Sequence, residues 1–469
     1  NTLLNQTKNY VLSYDDTTGQ IFKMLTSSID DQDEAQEVYT TGSNSTNIIP
    51  EKFGTFDNTG TNSTIASGDN NKITSNCSFI GGGTLHTASS PCSFVGGGEF
   101  NRALGQCNDF IGGGENNLIT FLGASSVIAG GSRNTICTDY AAIVGGYCNF
   151  VPSAKGGSGF IGAGHNNTAY ANASVVGGMF NTASAGCSFI GGGALNTVSA
   201  TYGSIVGGQC NTASAACTFI GGGNRNIACG LNSSVVGGTL NTASGVCSFI
   251  GGGECNYNND FRSSIVGGLK NIAKITGKGN QFIGGGQENT ASGNYSFIGS
   301  GACNQTLTSF ATVVGGTLNT ASGTCSFVGG GANNLAFVDG GVVVGGSNNC
   351  NESCYSIIGG GLTNCINGPG CSAIVGGCLN TVNGNNCFAF IGGGCCNCAS
   401  AGSGRVGQVI GGGSCNVVCS NDGSILGGFG NCVSGNQSSV VGGILNTASG
   451  ACSFIGGGSC NQATALFSS

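Results

Sequence analysis

The sequence predicts an all-β fold, a parallel β-solenoid of about 25 coils with about 15 residues in each coil. Two observations carry this prediction: a short apolar segment followed by glycines recurs from about residue 76 to the end, and an asparagine recurs at a fixed place after it. Composition agrees, since 39% of the residues are hydrophobic and only 7% are charged. Such a chain can bury apolar surface in a core, whereas a disordered chain has few apolar residues and many charges. Glycine is abundant but does not fall at every third position, which excludes collagen.

The repeating unit is marked by two adjacent apolar residues before glycine. The second residue of each pair falls at positions such as Ile190, Val206, Ile220, Val236 and Ile250. This near-constant period is typical of a repeat architecture. β-Branched residues and Phe, bounded by glycine, are typical of short strands. Glycine supplies the positive φ angles of tight corners. Two short strands and two turns therefore make one coil of a solenoid.

The copies alternate between two types, SFIGGG as at 188–193 and SIVGG as at 204–208. We interpret this as Phe alternating with Val or Ile at the first apolar position. Large and small residues then interdigitate across an interface. Alternatively, the structural unit is a double coil of about 30 residues in about 12 copies, so that Phe stacks on Phe. The shorter coil is favoured because it closes a two-strand turn without long loops.

An asparagine follows the landmark at a nearly fixed distance in 24 of the 25 copies, and His86 takes its place in the first. Asn tolerates left-handed backbone at corners. Stacked at the strand spacing, each amide can also donate to the carbonyl of the next, contributing about 1 kcal/mol net per bond. The predicted structural ladder includes Asn101, Asn117, Asn134, Asn149, Asn181, Asn196, Asn211, Asn226, Asn241 and Asn256.

Adjacent residues of a strand point to opposite faces, so one residue of each apolar pair lines the coil and the other faces outward. An outward ladder of this length exceeds the apolar patches of monomeric proteins. We expect it to pack against other copies of the chain or against a second layer of the same chain. The candidate core and interface residues are Phe189, Ile190, Phe219, Ile220, Phe249 and Ile250.

The segment NSSVVGGTLNTASGVCSFIGGG (232–253) resembles the head repeats of trimeric autotransporter adhesins. The variants rich in GGG and NTASG are similar to repeats in fibre and surface proteins of phages and large DNA viruses. The resemblance implies a left-handed parallel β-roll and a homotrimer or larger fibre. This chain departs from the adhesin pattern in its adjacent apolar residues, triple glycines and many cysteines.

Residues 1–66 read as a separate segment, and residues 67–469 as the repeat array. Alternating apolar and polar residues around DDTTG predict a hairpin over residues 10–24, similar to short hairpins near the start of such viral fibre proteins. Residues 25–66 are acidic and rich in Ser, Thr and Asn. We interpret residues 1–66 as a cap or attachment segment, since an open solenoid end invites stacking. A disordered linker is the alternative.

Many of the 27 cysteines recur at fixed positions of the repeat, and one of these positions, just before the repeated asparagine, holds Leu or Phe in other copies. They are interpreted either as small buried residues or as disulfide partners. Cys187, Cys217 and Cys247 lie two coils, about 9.6 Å, apart, beyond the disulfide limit of about 7 Å between Cα atoms. Local pairing remains open for Cys350 with Cys354, for Cys415 with Cys419 and for Cys210 with Cys217.

Asn-x-Ser/Thr sequons provide candidate glycosylation sites on exposed corners, if the chain passes a secretory route. The candidates are Asn5, Asn44, Asn62, Asn172, Asn232, Asn351 and Asn436.

No catalytic, metal or cofactor site is predicted. His86 takes a ladder position and His165 a turn position, so neither histidine is placed as a general base. Cys395, Cys396 and Cys398 cluster without a second ligand pair at zinc-finger spacing. The net charge of −7 lies mostly within the segment 1–60, so the array has no basic surface for nucleic acid. No apolar run has the length of a membrane span.

The sequence therefore predicts a structural fibre or surface-appendage protein rather than an enzyme. It would act as a rigid spacer on a virion or cell surface, extracellularly, through self-association, with host-surface glycans as a further candidate partner. The alternative is a ligand-binding solenoid, either a carbohydrate-binding adhesin or an ice-binding protein with a ladder of Thr side chains.

Overall fold

The computed structural model describes residues 2–5, 10–15, 20–25, 57–153, 157–274, 277–384, 387–401 and 407–469. All regular structure in these residues is β, and they contain no helix, which confirms the predicted fold class. The strands Thr2–Asn5, Tyr10–Asp15 and Gln20–Leu25 form an antiparallel sheet at the start of the chain, where the sequence predicts a hairpin. Most of the predicted acidic segment lies outside the described residues.

The rest of the described chain coils into two parallel sheets, which we name after their commonest outward residues. The Thr sheet contains 27 strands in the described coils, Asp57–Asn58, Lys72–Ile73, Thr87–Ala88, Arg102–Ala103, Leu118–Ile119, Thr135–Ile136, Phe150–Val151, Thr168–Ala169, Thr182–Ala183, Thr197–Val198, Thr212–Ala213, Ile227–Ala228, Thr242–Ala243, Tyr257–Asn258, Ile272–Ala273, Thr290–Ala291, Gln305–Thr306, Thr320–Ala321, Leu335–Ala336, Cys350–Asn351, Cys365–Asn367, Thr381–Gly384, Cys398–Ala401, Val417–Val418, Cys432–Val433, Thr447–Ala448 and Gln462–Ala463.

The Phe sheet contains 26 strands in the same coils, Thr64–Ile65, Phe79–Ile80, Phe94–Val95, Phe110–Ile111, Val127–Ile128, Ala142–Ile143, Phe160–Ile161, Ser174–Val175, Phe189–Ile190, Ser204–Ile205, Phe219–Ile220, Ser234–Val235, Phe249–Ile250, Ser264–Ile265, Phe282–Ile283, Phe297–Ile298, Thr312–Val313, Phe327–Val328, Val342–Val343, Ile357–Ile358, Ala373–Ile374, Phe390–Ile391, Val409–Ile410, Ser424–Ile425, Ser439–Val440 and Phe454–Ile455. The first coil begins at Asp57, so the array starts inside the segment predicted as a cap.

Each strand pairs in parallel with the equivalent strands one coil before and one coil after. Phe249, for example, lies between Ser234 and Ser264 in the Phe sheet. A third column of single bridges, such as Thr239 with Glu254, runs between the two sheets. This register confirms turns of about 15 residues and excludes the double coil. About 26 turns at a strand spacing of about 4.8 Å give a column about 125 Å long.

The core is narrow because each sheet contributes one inward residue per coil. In the copy at 241–256, Ala243 of the Thr sheet and Ile250 of the Phe sheet are fully buried. The preceding residues, Thr242 and Phe249, point outward, as expected for alternation along a strand. A small residue thus faces a large one across the coil in this copy.

The structure corrects the alignment of the two copy types. Ile190 pairs with Ile205, not with Val206, so both isoleucines are buried and Val206 is 52% exposed. The outward residue of the strand therefore alternates between Phe189 and Ser204. The number of glycines shows how the two types of copy align, because SIVGG has two glycines and SFIGGG has three. Val206 stands where the other type has its first glycine, Gly191.

Three residues per coil adopt left-handed backbone, one at each of three bends. In one coil these are Cys247, Gly253 and Cys255, with φ of 56°, 86° and 55°. Only the middle bend requires glycine, because a Cβ on Gly253 would collide with the carbonyl oxygen of Gly268 in the next coil. The other two bends open outward and accept residues with side chains.

This difference between glycines is testable with one adjacent pair. A Cβ on Gly238, at φ +87°, would meet the carbonyl oxygen of Gly253, whereas nothing lies within 4 Å of a Cβ on Gly237. We expect Gly238→Ala to lower the local free energy of unfolding by about 1–3 kcal/mol or more. Gly237→Ala should leave it unchanged or raise it by up to about 1 kcal/mol. Native-state hydrogen exchange of the surrounding coils measures both, and equal effects would contradict the proposed corner geometry.

Candidate functional site

The repeated asparagine forms a continuous buried column that joins three parts of the backbone. The backbone N–H of Asn241 donates to Oδ1 of Asn226 at 3.0 Å. Nδ2 of Asn241 donates to the carbonyl oxygens of Gly237 in its own coil, at 3.0 Å, and Gly253 in the next, at 2.9 Å. The predicted residues that occupy this column are Asn101, Asn117, Asn134, Asn149, Asn181, Asn196, Asn211, Asn226, Asn241 and Asn256.

The bonding differs from the expected chain of amides. Oδ1 accepts from the next backbone N–H, and amide-to-amide bonds accompany it at only a few described steps, such as Asn256 to Asn241 at 3.0 Å. Nor does the asparagine itself adopt left-handed backbone; the preceding residue does, for example Leu240 at φ 56°. Asparagine is placed there because its one carbonyl and two N–H groups match three buried backbone groups. Leaving any of these groups unpaired would cost about 1–3 kcal/mol.

His86 takes the place of the asparagine in the coil that follows Asn71, and its backbone N–H donates to Oδ1 of Asn71 at 3.0 Å. Its Nδ1 accepts the backbone N–H of Asn101 at 3.1 Å, as Oδ1 does elsewhere. The side chain is fully buried, and burial lowers the pKa of His86 below its usual value. Protonation would place an N–H of the ring against the N–H of Asn101. His165 instead lies in the bridge column, where its ring contacts those of Tyr147 and Phe180.

Between Phe160 and Phe282, the outer surface of the Phe sheet carries an apolar pattern with a period of two coils. Phe189, Phe219 and Phe249 are 37–38% exposed, whereas Ile190, Ile220 and Ile250 are fully buried. Each ring lies over the glycine two residues on; a Cβ on Gly251 would lie 3.4 Å from Cε1 of Phe249. In the intervening coils a serine replaces Phe, and an exposed Val replaces that glycine. Phe–Gly and Ser–Val coils therefore alternate along the face.

Some successive coils both carry Phe, and there the rings stack. The centroids of Phe79 and Phe94 are 5.3 Å apart, and those of Phe94 and Phe110 are 5.0 Å apart. No second layer of the described chain covers these rings. The predicted outward apolar ladder thus exists, and its residues are partly exposed in the single chain.

The outer surface of the Thr sheet is polar and less regular. Thr182, Thr197 and Thr212 stand in register on successive coils, and a serine follows each by two residues on the same face. Ile227 interrupts the column at the next coil, and Tyr257 does so two coils later. The face presents a threonine array only over short runs.

The structure corrects the interpretation of the cysteines as buried residues. All 27 lie in the described part of the chain, all have free thiols, and none is buried. Those that exchange with Leu and Phe, such as Cys210 and Cys255, do so because these residue types share an outward-opening bend, where Leu240 is 44% exposed. Among the predicted residues, Cys187, Cys217, Cys247, Cys415 and Cys419 are exposed, while Cys350 and Cys354 are half-buried.

The candidate glycosylation residues divide by exposure. Asn62, Asn172, Asn232 and Asn436 are exposed. Asn351 is fully buried, and its Nδ2 donates to the carbonyl oxygens of Val342 and Ser356 at 3.1 and 2.7 Å. The folded chain therefore does not present Asn351 to a glycosylating enzyme. Only the backbone of Asn5 is described, and Asn44 lies outside the described residues.

Charged groups are few on the described coils. Two ion pairs occur there, Lys72 with Asp57 at 2.6 Å and Lys270 with Glu288 at 3.6 Å. Both are exposed, so each contributes at most about 1 kcal/mol. Asp109 occupies a buried position that is often serine in other coils, and burial raises the pKa of its carboxyl.

The described residues contain no group of three His, Cys, Asp or Glu side chains that could hold a metal ion. A separate search of the same residues finds no helix with the length and hydropathy of a membrane span.

Because His86 takes the place of an asparagine in the buried column, we expect the stability of the surrounding coils to depend on pH. Since burial lowers its pKa in the folded state, the coil should be fully stable above the unfolded pKa of about 6.5. It should lose stability as the pH falls below that value. His86→Asn should remove this dependence and restore the amide of the column. Hydrogen exchange of residues 72–101 at pH 7.5 and 5.0 measures it, with His165→Asn as the control. An unchanged pH dependence in His86→Asn would contradict the assignment.

Comparison with known proteins does not assign this chain to a family. No protein-family model matches the chain, and no curated protein matches it significantly. The resemblance to adhesin-head and viral fibre repeats therefore depends on the repeat residues alone. The chain is a β-solenoid repeat protein with many cysteines, and its function is argued below from its own surfaces.

Proposed function

We propose that this chain is a structural protein, a rigid spacer that self-associates side by side into a homotrimer or larger fibre on a virion or cell surface. The observation that carries the proposal is the partly exposed apolar pattern along the Phe sheet. It extends over many coils and has no cover within the described chain. Monomeric proteins rarely expose continuous apolar stripes of this length.

Rigidity is supported by the number of bonds between neighbouring coils. Both sheets, the bridge column and the asparagine column join every coil to the next, as in the steps from Asn226 to Asn241 and from Asn241 to Asn256. Bending the column would stretch the bonds on its convex side and compress the contacts on its concave side. Such an object transmits force and keeps its two ends at a fixed separation, which is what a spacer does.

Self-association through the Phe sheet is supported by its alternation of large and small residues. A Phe–Gly coil carries its ring over the glycine, and a Ser–Val coil leaves a depression at its serine. The faces of two chains can therefore interdigitate, Phe against Ser. The Thr sheet, with fewer regular apolar side chains, would face solvent.

The proposal predicts a solution mass that is a multiple of 46.0 kDa. We expect the triple variant Phe189→Ser, Phe219→Ser and Phe249→Ser to shift the mass toward the monomer, because each serine already occurs at that place in neighbouring coils. The matched control on the other sheet is Thr182→Ser, Thr212→Ser and Thr242→Ser, which should associate like the parent chain. Light scattering, with and without reductant, measures the mass.

A monomer of the parent chain at every accessible concentration would overturn the proposal. Loss of association in the Thr-sheet control alone would move the interface to the other face. Dissociation by reductant would show that disulfides between chains contribute.

A second candidate function is ice binding, favoured by Thr182, Thr197 and Thr212 standing in register on one face. We expect any thermal hysteresis of the concentrated protein to disappear when these residues are changed to Lys. The Phe-sheet triple variant is the control and should retain it. Absence of hysteresis in the parent chain would eliminate this candidate.

A further inference from the structure

Two cysteines meet in register on the outer face of the Thr sheet. Cys350 and Cys365 are the first residues of successive strands, and they are direct partners in the parallel pairing. Both point to the same side of the sheet, opposite the buried Asn351 and Ile366. Both are half-buried.

The register brings these two residues within disulfide distance. In-register partners on neighbouring strands lie about 4.8 Å apart at Cα, inside the range of about 4.4–6.8 Å that disulfides span. Cys217 and Cys247 share a column but are two coils apart, at about 9.6 Å, and lie outside that range. Sequence spacing alone does not single out Cys365, because Cys354 is much closer to Cys350 along the chain.

We propose that Cys350 and Cys365 form a redox pair that closes into a disulfide linking two successive coils. A small-molecule disulfide serves as the oxidant. One thiolate attacks a sulfur of that disulfide and releases one small thiol. The second thiolate then attacks the mixed disulfide and releases the other small thiol. The two cysteines lose two protons and two electrons, and the small disulfide is reduced to two thiols.

The surroundings of the pair favour Cys365 as the attacking group. A hydrogen bond from the thiol of Cys350 lowers the pKa of Cys365. The same contact, together with burial, raises the pKa of Cys350. The thiol of Cys350 also lies 3.5 Å from Oε1 of Glu352, which disfavours a second negative charge. One thiol of the pair is therefore the better nucleophile and the other stays protonated until it resolves the mixed disulfide.

The disulfide would oppose a mode of unfolding that is particular to solenoids, the unwinding of one coil after another. Each coil contacts only its neighbours, so unwinding can proceed coil by coil. A covalent bond between two successive coils stops that process where it forms. Cys378 and Cys395 are also register partners, but Sγ of Cys395 lies 3.2 Å from Sγ of Cys396, so that pair has competing partners. The test therefore uses Cys350 and Cys365.

The proposal is tested by incubating the full chain in graded mixtures of oxidised and reduced glutathione, followed by alkylation. Cleavage before Asp339 and after Glu352 releases a segment whose only cysteine is Cys350. We expect this segment to remain cross-linked to the Cys365 segment, and to be freed by reductant. The ratio of oxidised to reduced glutathione at which half of Cys350 is cross-linked should be at least tenfold lower than the ratio at which half of Cys247 is oxidised. Cys365→Ser should release the segment in alkylated form, whereas the control Cys354→Ser should not.

Three outcomes would overturn the proposal. The first is that Cys350 is alkylated at every ratio of oxidised to reduced glutathione at which Cys247 is also alkylated, because Cys350 is then no more easily oxidised than Cys247. The second is a cross-link of Cys350 that persists in Cys365→Ser. The third is Cys350 recovered only as its mixed disulfide with glutathione. Hydrogen exchange of residues 350–381 gives an independent readout and should slow at least tenfold on oxidation in the parent chain, but not in Cys365→Ser.

Discussion

The fold depends on one buried amide per coil. In most coils the asparagine of the column accepts an N–H from the next asparagine and donates to the carbonyls of two glycines, one in its own coil and one in the following coil. The left-handed glycine bend would otherwise bury carbonyl oxygens without partners. The same side chain therefore stabilises the bend and sets the register between coils. The two sheets extend from that register, since their strands are mostly only two residues long.

Because the register is set inside, the outside of the coil is free to vary. The inward positions accept few residue types, mainly Ala, Ile, Val, Asn and Ser. The outward bends accept Cys, Leu, Phe, Tyr, Arg and Asn at nearly the same backbone angles. Surface chemistry can thus change from coil to coil without altering the column. A protein built this way keeps its shape while its surface changes.

The sequence predicted the coil length, the asparagine column and the division of each apolar pair into one inward and one outward residue, because these features repeat with a constant period. It did not predict that the isoleucine of each Phe–Ile pair, such as Ile250, is the inward one. It did not predict the alignment of the SIVGG copies, since Ile205 and Val206 are both apolar and only the missing glycine separates them. Nor did it predict the exposure of Cys247. Exchange with Leu indicates burial in the sequence alone, whereas its cause in the structure is a left-handed bend that opens outward. The alignment of Cys350 with Cys365 depends on the register between coils, which only the folded structure shows.

The alternation of Phe–Gly and Ser–Val coils has a consequence for how any elongated neighbour can lie along this face. A neighbour that fits it in one axial position fits again only after sliding by two coils, about 9.6 Å, because a slide of one coil brings ring against ring. Between Phe160 and Phe282, the axial stagger of such a neighbour is therefore restricted to steps of two coils. The alternation is absent where successive coils both carry Phe, as at Phe79, Phe94 and Phe110. In a side-by-side assembly of the kind proposed above, these irregular coils would match in one axial alignment only.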